Sequence, residues 1–296
     1  MRTLSRRGRA LVVSAALLGG SVLAPAASAT SAPYIDVAGM PAYVGPWDAT
    51  QWDAFLGSTT AWPGSVILDD DNGDAAFDSS WQQLTHELHQ KGVQVLAYVY
   101  TSNGTRAESA VDASIDNYFP AGAVPGDTAP DGVLFDEFGT LDSSGMELTC
   151  SGLTYYDDVV GHAYQDIAAG AGSSFVASIW ANPGTAVPSC YLTMSEAIDT
   201  FVTAENDETA YDTYTPYNVL NPDGTFSDGS SQFPSWRFAH EIYCVPAGDV
   251  HAVVDRAQAN YAGNVSMTSD CDSSDPYSIL PANAYLNDEV TYAASL

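Results

Sequence analysis

Gly132-Val133-Leu134-Phe135-Asp136-Glu137 runs through three bulky apolar residues without a polar break and then ends in two acids. A strand with one wet face alternates apolar and polar side chains, whereas a strand covered on both faces is apolar almost throughout. Upstream, Val93-Gln94-Val95-Leu96-Ala97-Tyr98-Val99-Tyr100 follows the second pattern as well. Each stretch precedes a segment suited to a helix, Glu108–Tyr118 and Tyr155–Ala169. Buried strands that alternate with helices indicate a parallel sheet with helices packed on it.

Working outward from these two, short β-branched and aromatic runs bounded by turn residues give eight strands. They are Pro41–Gly45, Ser65–Asp70, Val93–Tyr100, Gly132–Glu137, Ser174–Trp180, Thr200–Glu205, Phe238–Cys244 and Asn264–Ser269. Helices are expected at Ala49–Leu56, Ser79–Lys91, Met194–Ala197, Asp249–Tyr261 and Ala282–Val290, besides the two already named. Eight such units match the size of a single-domain (β/α)8 TIM barrel. An open doubly wound sheet is the alternative, but Gly45-Pro46-Trp47-Asp48 stands where a glycine-rich phosphate loop would be expected.

Barrels of this kind place their chemistry at the C-terminal ends of the strands. Those ends carry Tyr43, Asp70, Tyr98, Tyr100, Asp136, Glu137, Trp180, Asn182, Glu205, His240, Glu241, Thr268 and Asp270. A ring of polar and aromatic groups at one end of a barrel reads as a lined pocket.

Residues 1–29 put four arginines ahead of a short apolar run and finish on Ala27-Ser28-Ala29, the pattern of a cleavable export signal. Residues 30–296 would then be the mature, secreted barrel domain, with no membrane span. Only Lys91, Arg106, Arg237 and Arg256 remain in it against 37 acids, a net charge of −33. Such a surface repels nucleic acid and anionic lipid. Export also makes disulfides of the four cysteines. Each falls near a loop after a strand, and consecutive loops of a barrel are neighbours, so Cys150 should pair with Cys190 and Cys244 with Cys271. No cofactor is expected and no metal, since Asp69-Asp70-Asp71-Asn72-Gly73-Asp74 lacks the EF-hand spacing.

Ala97-Tyr98-Val99-Tyr100-Thr101-Ser102-Asn103-Gly104-Thr105-Arg106, then Asp116 and Tyr118, then Gly132–Glu137, resemble the spherulation-specific family 4 (spherulin-4-like) proteins. Asn182-Pro183-Gly184, Glu205, Thr268-Ser269-Asp270, Pro276-Tyr277 and Leu280-Pro281 continue the likeness, which runs from about Pro41 to Tyr285. The resemblance implies a (β/α)8 barrel and the activity of glycoside hydrolase family 135, cleavage of α-1,4-linked N-acetylgalactosamine in galactosaminogalactan. It implies catalytic acids at Asp136 and Glu137 and at Glu205. The second strand departs from it, with Asp69-Asp70-Asp71-Asn72-Gly73 where relatives carry an Asn-Pro and Gly-Pro-Gly pattern.

Glycosidic cleavage needs two carboxyl groups flanking the bond. Strand neighbours point to opposite faces, so Asp136 and Glu137 are not expected to be that pair. The expectation is Asp136 as nucleophile, Glu205 as acid/base, and Glu137 orienting substrate or tuning its neighbour. Tyr43, Trp47, Tyr98, Tyr100 and Trp180 are placed to stack on sugar faces, and Asp70, Asn182 and Asp270 to bind hydroxyls. His240 is either a sugar ligand or a satisfied buried histidine. The 206–236 segment, read as a long loop, adds Tyr211, Tyr214, Tyr217, Phe226 and Phe233 as rings for substrate or for packing. The partner is a polysaccharide and the protein a monomer. The alternatives are a non-catalytic carbohydrate-binding coat protein and a hydrolase of another cell-wall or capsule glycan.

Overall fold

A computed structural model describes residues 34–139, 150–171, 175–213 and 215–296. The export signal read at 1–29, Ser174 and Tyr214 lie outside these residues. The described chain is a parallel β-barrel wrapped by helices. Its first strand, β1, is split into Asp36–Val37 and Met40–Ala42. It is followed by β2 (Ser65–Leu68), β3 (Gln94–Tyr100), β4 (Gly132–Asp136), β5 (Ser178–Ala181), β6 (Thr200–Asp207), β7 (Phe238–Tyr243) and β8 (Asn264–Met267). Every neighbouring pair in the barrel sheet is parallel, and the order runs from the first half of β1 through β8, β7 and onward down to β2 and the second half of β1. The ladder thus starts and finishes on the same strand.

Gly39 makes that split possible. Its φ of +72° costs an L-residue strain that glycine escapes. Around it, Ala38 N–H donates to Val265 O at 3.2 Å, Gly39 N–H to Ser65 Oγ at 2.7 Å, and Ser266 Oγ to Gly39 O at 3.3 Å. A Cβ at Gly39 would run into the Trp180 ring.

The apolar strands fill two cores by alternation. Inward residues Ile67, Leu96, Leu134, Trp180, Val202 and Ala239 form the barrel interior. Outward residues such as Val95, Val99, Val133 and Phe135 join the helices in the outer core. The helices are α1 (Ala49–Ser58), α2 (Ser79–Gln90), α3 (Glu108–Tyr118), α4 (Leu153–Ala171), α5 (Glu208–Thr213), α6 (Val250–Ala259) and α7 (Asn283–Ala293). Asp48 caps α1 through Gln51 N–H, and Asp78 caps α2 through Ser80 N–H at 2.7 Å.

Two sequence expectations are corrected. Met194–Ala197 is not a helix; a short 3-10 turn, Tyr191–Thr193, precedes it, and Asp157 holds Ser195 Oγ at 2.9 Å and Glu196 N–H at 3.2 Å. Four residues are too few to offset the cost of nucleating a helix. The 206–236 segment is not irregular: it contains α5 and two strands, Val219–Leu220 and Phe226–Ser227, which join Val187–Pro188 in a small sheet.

Both expected disulfides are present, Cys150–Cys190 across 40 residues and Cys244–Cys271 across 27. Loops of this length make each bridge worth about 3–4 kcal/mol by chain entropy. The second one joins the chain just past β7 to the chain just past β8.

Gly39→Ala should lower unfolding stability by about 2–4 kcal/mol, combining overpacking against Trp180 with left-handed strain. Urea unfolding monitored by tryptophan fluorescence checks this, and a change below about 0.5 kcal/mol would show that closure does not depend on the residue.

Candidate functional site

At the C-terminal ends of the strands the inward positions are no longer apolar. Tyr43 follows β1 and Asp69 follows β2, while Tyr98 and Asp136 lie on β3 and β4 and Glu205 and Tyr243 on β6 and β7. With Asn72 and residues 273–277 they line an open cleft of about 530 Å³.

Glu205 reaches that cleft through a defect in the ladder. Ala239 of β7 pairs with Val202, and the next residue, His240, pairs with Ala204, so Thr203 is an extra residue on β6. Thr203 bonds outward to Asn218 Oδ1 at 2.7 Å, and Ala204 also joins the outer core. Strict alternation from the inward Val202 would have turned Glu205 away. The bulge shifts the phase by one and turns it inward, a use of bulges common beside active sites.

Asp136 and Glu205 are held by neutral donors. Tyr98 Oη donates to Asp136 Oδ2 at 2.5 Å, and the Glu137 backbone and the Asn182 side chain add to the polar surroundings that favour its anion. Asn182 Nδ2 donates to Glu205 Oε2 at 2.8 Å, and Tyr277 Oη to Oε1 at 3.2 Å. Asn182 is itself fixed, since its Oδ1 accepts Gly184 N–H at 2.8 Å. Asn182 thus holds Glu205 and contributes to the polar surroundings of Asp136. Burial raises the pKa of both; hydrogen bonds oppose this at each, and at Glu205 the Asp136 charge raises it further. Edge-on contacts of Tyr43 with Tyr98 and Tyr277, at 5.2 and 5.5 Å, brace the donors.

Glu137 lies beyond the end of β4, exposed, with φ of +48°. Its carbonyl accepts Asn103 N–H at 2.9 Å and Thr101 Oγ1 at 2.7 Å, which hold the backbone in this conformation. Burial and then the Asp136 charge raise its pKa. Of seven non-glycine residues with positive φ among the described residues, six follow C-terminal strand ends: Asp71, Asn72, Ser102, Asn103, Glu137 and Cys244. Strain of this sort gathers at functional faces.

Several expected ligands lie elsewhere. Asp70 faces outward and is buried beside Trp81, and Asp69 takes the cleft position instead, because the strand alternates. Trp180 plugs the opposite end of the barrel, where it touches a cavity formed by the N-terminal ends of the strands. Tyr100 faces inward but lies under the Arg106 guanidinium, 4.3 Å from its ring centre, outside the cleft lining. His240 points outward and is fully buried, with Nδ1 2.8 Å from Tyr211 Oη and Nε2 3.2 Å from Asn218 Oδ1. Desolvation and then the Arg256 charge lower its pKa to about 3, so it is a neutral packing group. Asp270 is a turn residue whose Oδ1 accepts Asp272 N–H at 3.0 Å. Trp47 is exposed and edge-on to Trp81, while Tyr217 pairs with Phe226 and Phe233 with Phe238.

Glu241 was named at a strand end but given no role. It pairs with Glu205 in the β6–β7 ladder, is 2% exposed, and its Oε1 has no hydrogen-bond partner among the described residues. Burial, then Glu205 and Asp136, push its pKa well above the carboxylate range. Counting by two from Ile67 would have found Asp69. Tyr277 and Tyr243 needed the three-dimensional fold.

Fold and site together define a (β/α)8 barrel with a carboxylate cleft at its C-terminal face. The chain belongs to the spherulation-specific family 4, whose sequence profile matches residues 38–292. It is 32% identical over 165 residues to Spherulin-4 of Physarum polycephalum, a match covering 55% of this chain and 43% of that protein. It therefore spans less than half the length of this relative. Its fold is that of Sph3 from Aspergillus clavatus, crystallised in complex with GalNAc, with a TM-score of 0.63 and 19% identity over 88% of this chain and 98% of that one. No helix among the described residues is long and apolar enough to cross a membrane.

The titrating groups fix a sign for stability. Burial raises Asp69 and Asp70 to about 6, so their favourable contribution is full below the unfolded value near 4 and is lost as pH rises through 6. His240 acts oppositely, contributing fully above about 6.5 and losing that contribution as pH falls toward 3. The melting temperature should therefore be higher near about pH 5 than near about pH 8. Calorimetry that finds the reverse order would refute this balance.

Proposed function

We propose that the protein is a secreted glycoside hydrolase that cuts within an α-1,4-linked N-acetylgalactosamine/galactosamine polysaccharide, with Asp136 as nucleophile and Glu205 as acid/base. The observation that carries this reading is that Asp136 and Glu205 line one cleft, each held by neutral donors. Retention, for which the two carboxyls stand about 5–5.5 Å apart, is the outcome we assign to this pair.

The roles follow from the surroundings. Asp136 accepts the Tyr98 hydroxyl and has the Glu137 backbone and Asn182 side chain favouring its anion, which suits a nucleophile. Glu205, buried beside that anion, is biased toward its protonated form, which suits an acid. In the first step the Asp136 carboxylate attacks the anomeric carbon while Glu205 gives its proton to the departing glycosidic oxygen. In the second, Glu205 takes a proton from water, whose oxygen displaces Asp136 and frees the sugar. Glu137 at the rim orients the chain. Tyr43, Tyr98 and Tyr277 supply ring faces and hydroxyls. The amino-sugar substrate is suggested by the family and by the GalNAc bound to the structural relative. Secretion is suggested by the arginine-led apolar segment at 1–29 and by the two disulfides.

The test is a panel of polysaccharides treated with wild type, Asp136→Asn and Glu205→Gln, with released oligosaccharides read by mass spectrometry. Each variant should lose about 10²–10⁴-fold in turnover. Azide should restore cleavage to Asp136→Gly as a glycosyl azide of inverted configuration. Binding without products from any glycan would favour the coat-protein reading, and full activity in Glu205→Gln would remove Glu205 from the mechanism.

A further inference from the structure

The cleft contains carboxyls and no basic side chain. Asp69, Asp136, Glu205 and Asp275 line it, and Glu241 lies beside Glu205 on the same inward face. Every lysine and arginine of residues 34–296 is placed elsewhere. Lys91 lies over Trp62, Arg237 donates to Ile198 O at 2.8 Å, and Arg256 lies over Tyr211. Arg106 is committed to Asp74, Ser114 and the Tyr100 carbonyl. The histidines face Asp127, Asp131, Asp116, Tyr211 and Asp288, all outside the cleft. Glu241, 2% exposed, is biased toward its protonated form and its Oε1 has no hydrogen-bond partner among the described residues, while Asp69, Asp136 and Asp275 face the cleft with no basic side chain beside them.

A ligand that carries a positive charge would therefore meet acids with no competing cation beside them. A single metal ion fits poorly, since the only trio of ligand atoms within 4.8 Å of one another among the described residues is Asp116, His162 and Asp166, which is not in the cleft. The cleft carboxyls are spread more widely, a layout suited to an ammonium group on a larger molecule. Resting on the hydrolase reading above, we propose that the cleft selects sugars with a free 2-amino group over N-acetylated ones, with Asp69 as the specificity-determining residue that pairs with the ammonium. Asp69 is the acid that the altered second strand contributes to the cleft wall. It is fixed by accepting Asn72 N–H at 2.6 Å through Oδ1, which leaves Oδ2 for the ligand. Asp275 extends the negative field along the cleft wall.

The experiment compares kcat/KM on α-1,4-linked galactosamine oligomers with free amines against the fully N-acetylated series, for wild type and Asp69→Asn. Reading the ratio cancels any general loss in the variant. Wild type should prefer the free-amine series by about tenfold or more, and Asp69→Asn should remove about tenfold of that preference. Equal rates, preference for the N-acetylated series, or a ratio unchanged in Asp69→Asn would overturn the inference and leave the hydrolase standing. If neither series is cut, the hydrolase reading falls for these glycans and the ratio is read from binding by calorimetry, with the same outcomes deciding. Calcium alone, if it stabilised wild type but not Asp69→Asn and removed the preference, would assign the acids to a metal and overturn it too.

Discussion

A parallel ladder is free of edges only if one strand pairs on both sides, and here β1 does so in halves. Asp36–Val37 pair with β8, Met40–Ala42 pair with β2, and the turn between them leaves Gly39 in a conformation that other residues adopt at a cost. The same glycine gives room to the Trp180 ring, which fills the barrel at its N-terminal end. Closure and interior packing are therefore one constraint. Everything at the other end, including the facing positions of Asp136 and Glu205, depends on the strands being staggered as closure requires.

The cleft is arranged against its own electrostatics. Acids from the ends of β2, β4, β6 and β7 converge at the mouth of the barrel, and the groups that hold Asp136 and Glu205 are hydroxyls and an amide rather than cations. Neutral donors leave the carboxyls free to exchange protons, which an arginine partner would suppress. The cost is offset by the apolar cores beneath, where each fully buried large side chain contributes about 1.5–3 kcal/mol. Tyr98 and Tyr277 come from distant parts of the chain, and their hold on Asp136 and Glu205 makes acid placement depend on the folded whole.

Much of this was legible in the sequence because unbroken apolar runs such as Leu96–Val99 have few alternatives to a buried strand. Eight strands, the barrel and both disulfides follow from that pattern, while Glu205 as partner of Asp136 came from the family resemblance. What failed did so for identifiable reasons. Ending β2 one residue late exchanges Asp70 for Asp69 and reverses the face. The inward turn of Glu205 needs the bulge at Thr203, which no local residue announces. His240 was assigned by its nearness to a strand end, while its face and the pocket formed by Tyr211 and Asn218 depend on a segment read as irregular. Tyr277 arrives from beyond β8 on a loop whose path the Cys244–Cys271 bridge constrains.

The left-handed residues at the rim sort into two kinds when weighed by side-chain chemistry. Asp71, Asn72 and Asn103 are short polar residues that accept this backbone readily, so the turns themselves account for them. Cys244 and Glu137 are not, and a glycine would relax either position. Cys244 is tied there by its bridge. Glu137 is held by hydrogen bonds alone, from Asn103 N–H and Thr101 Oγ1 to its carbonyl, so there the rim gives up conformational comfort for a long acidic side chain.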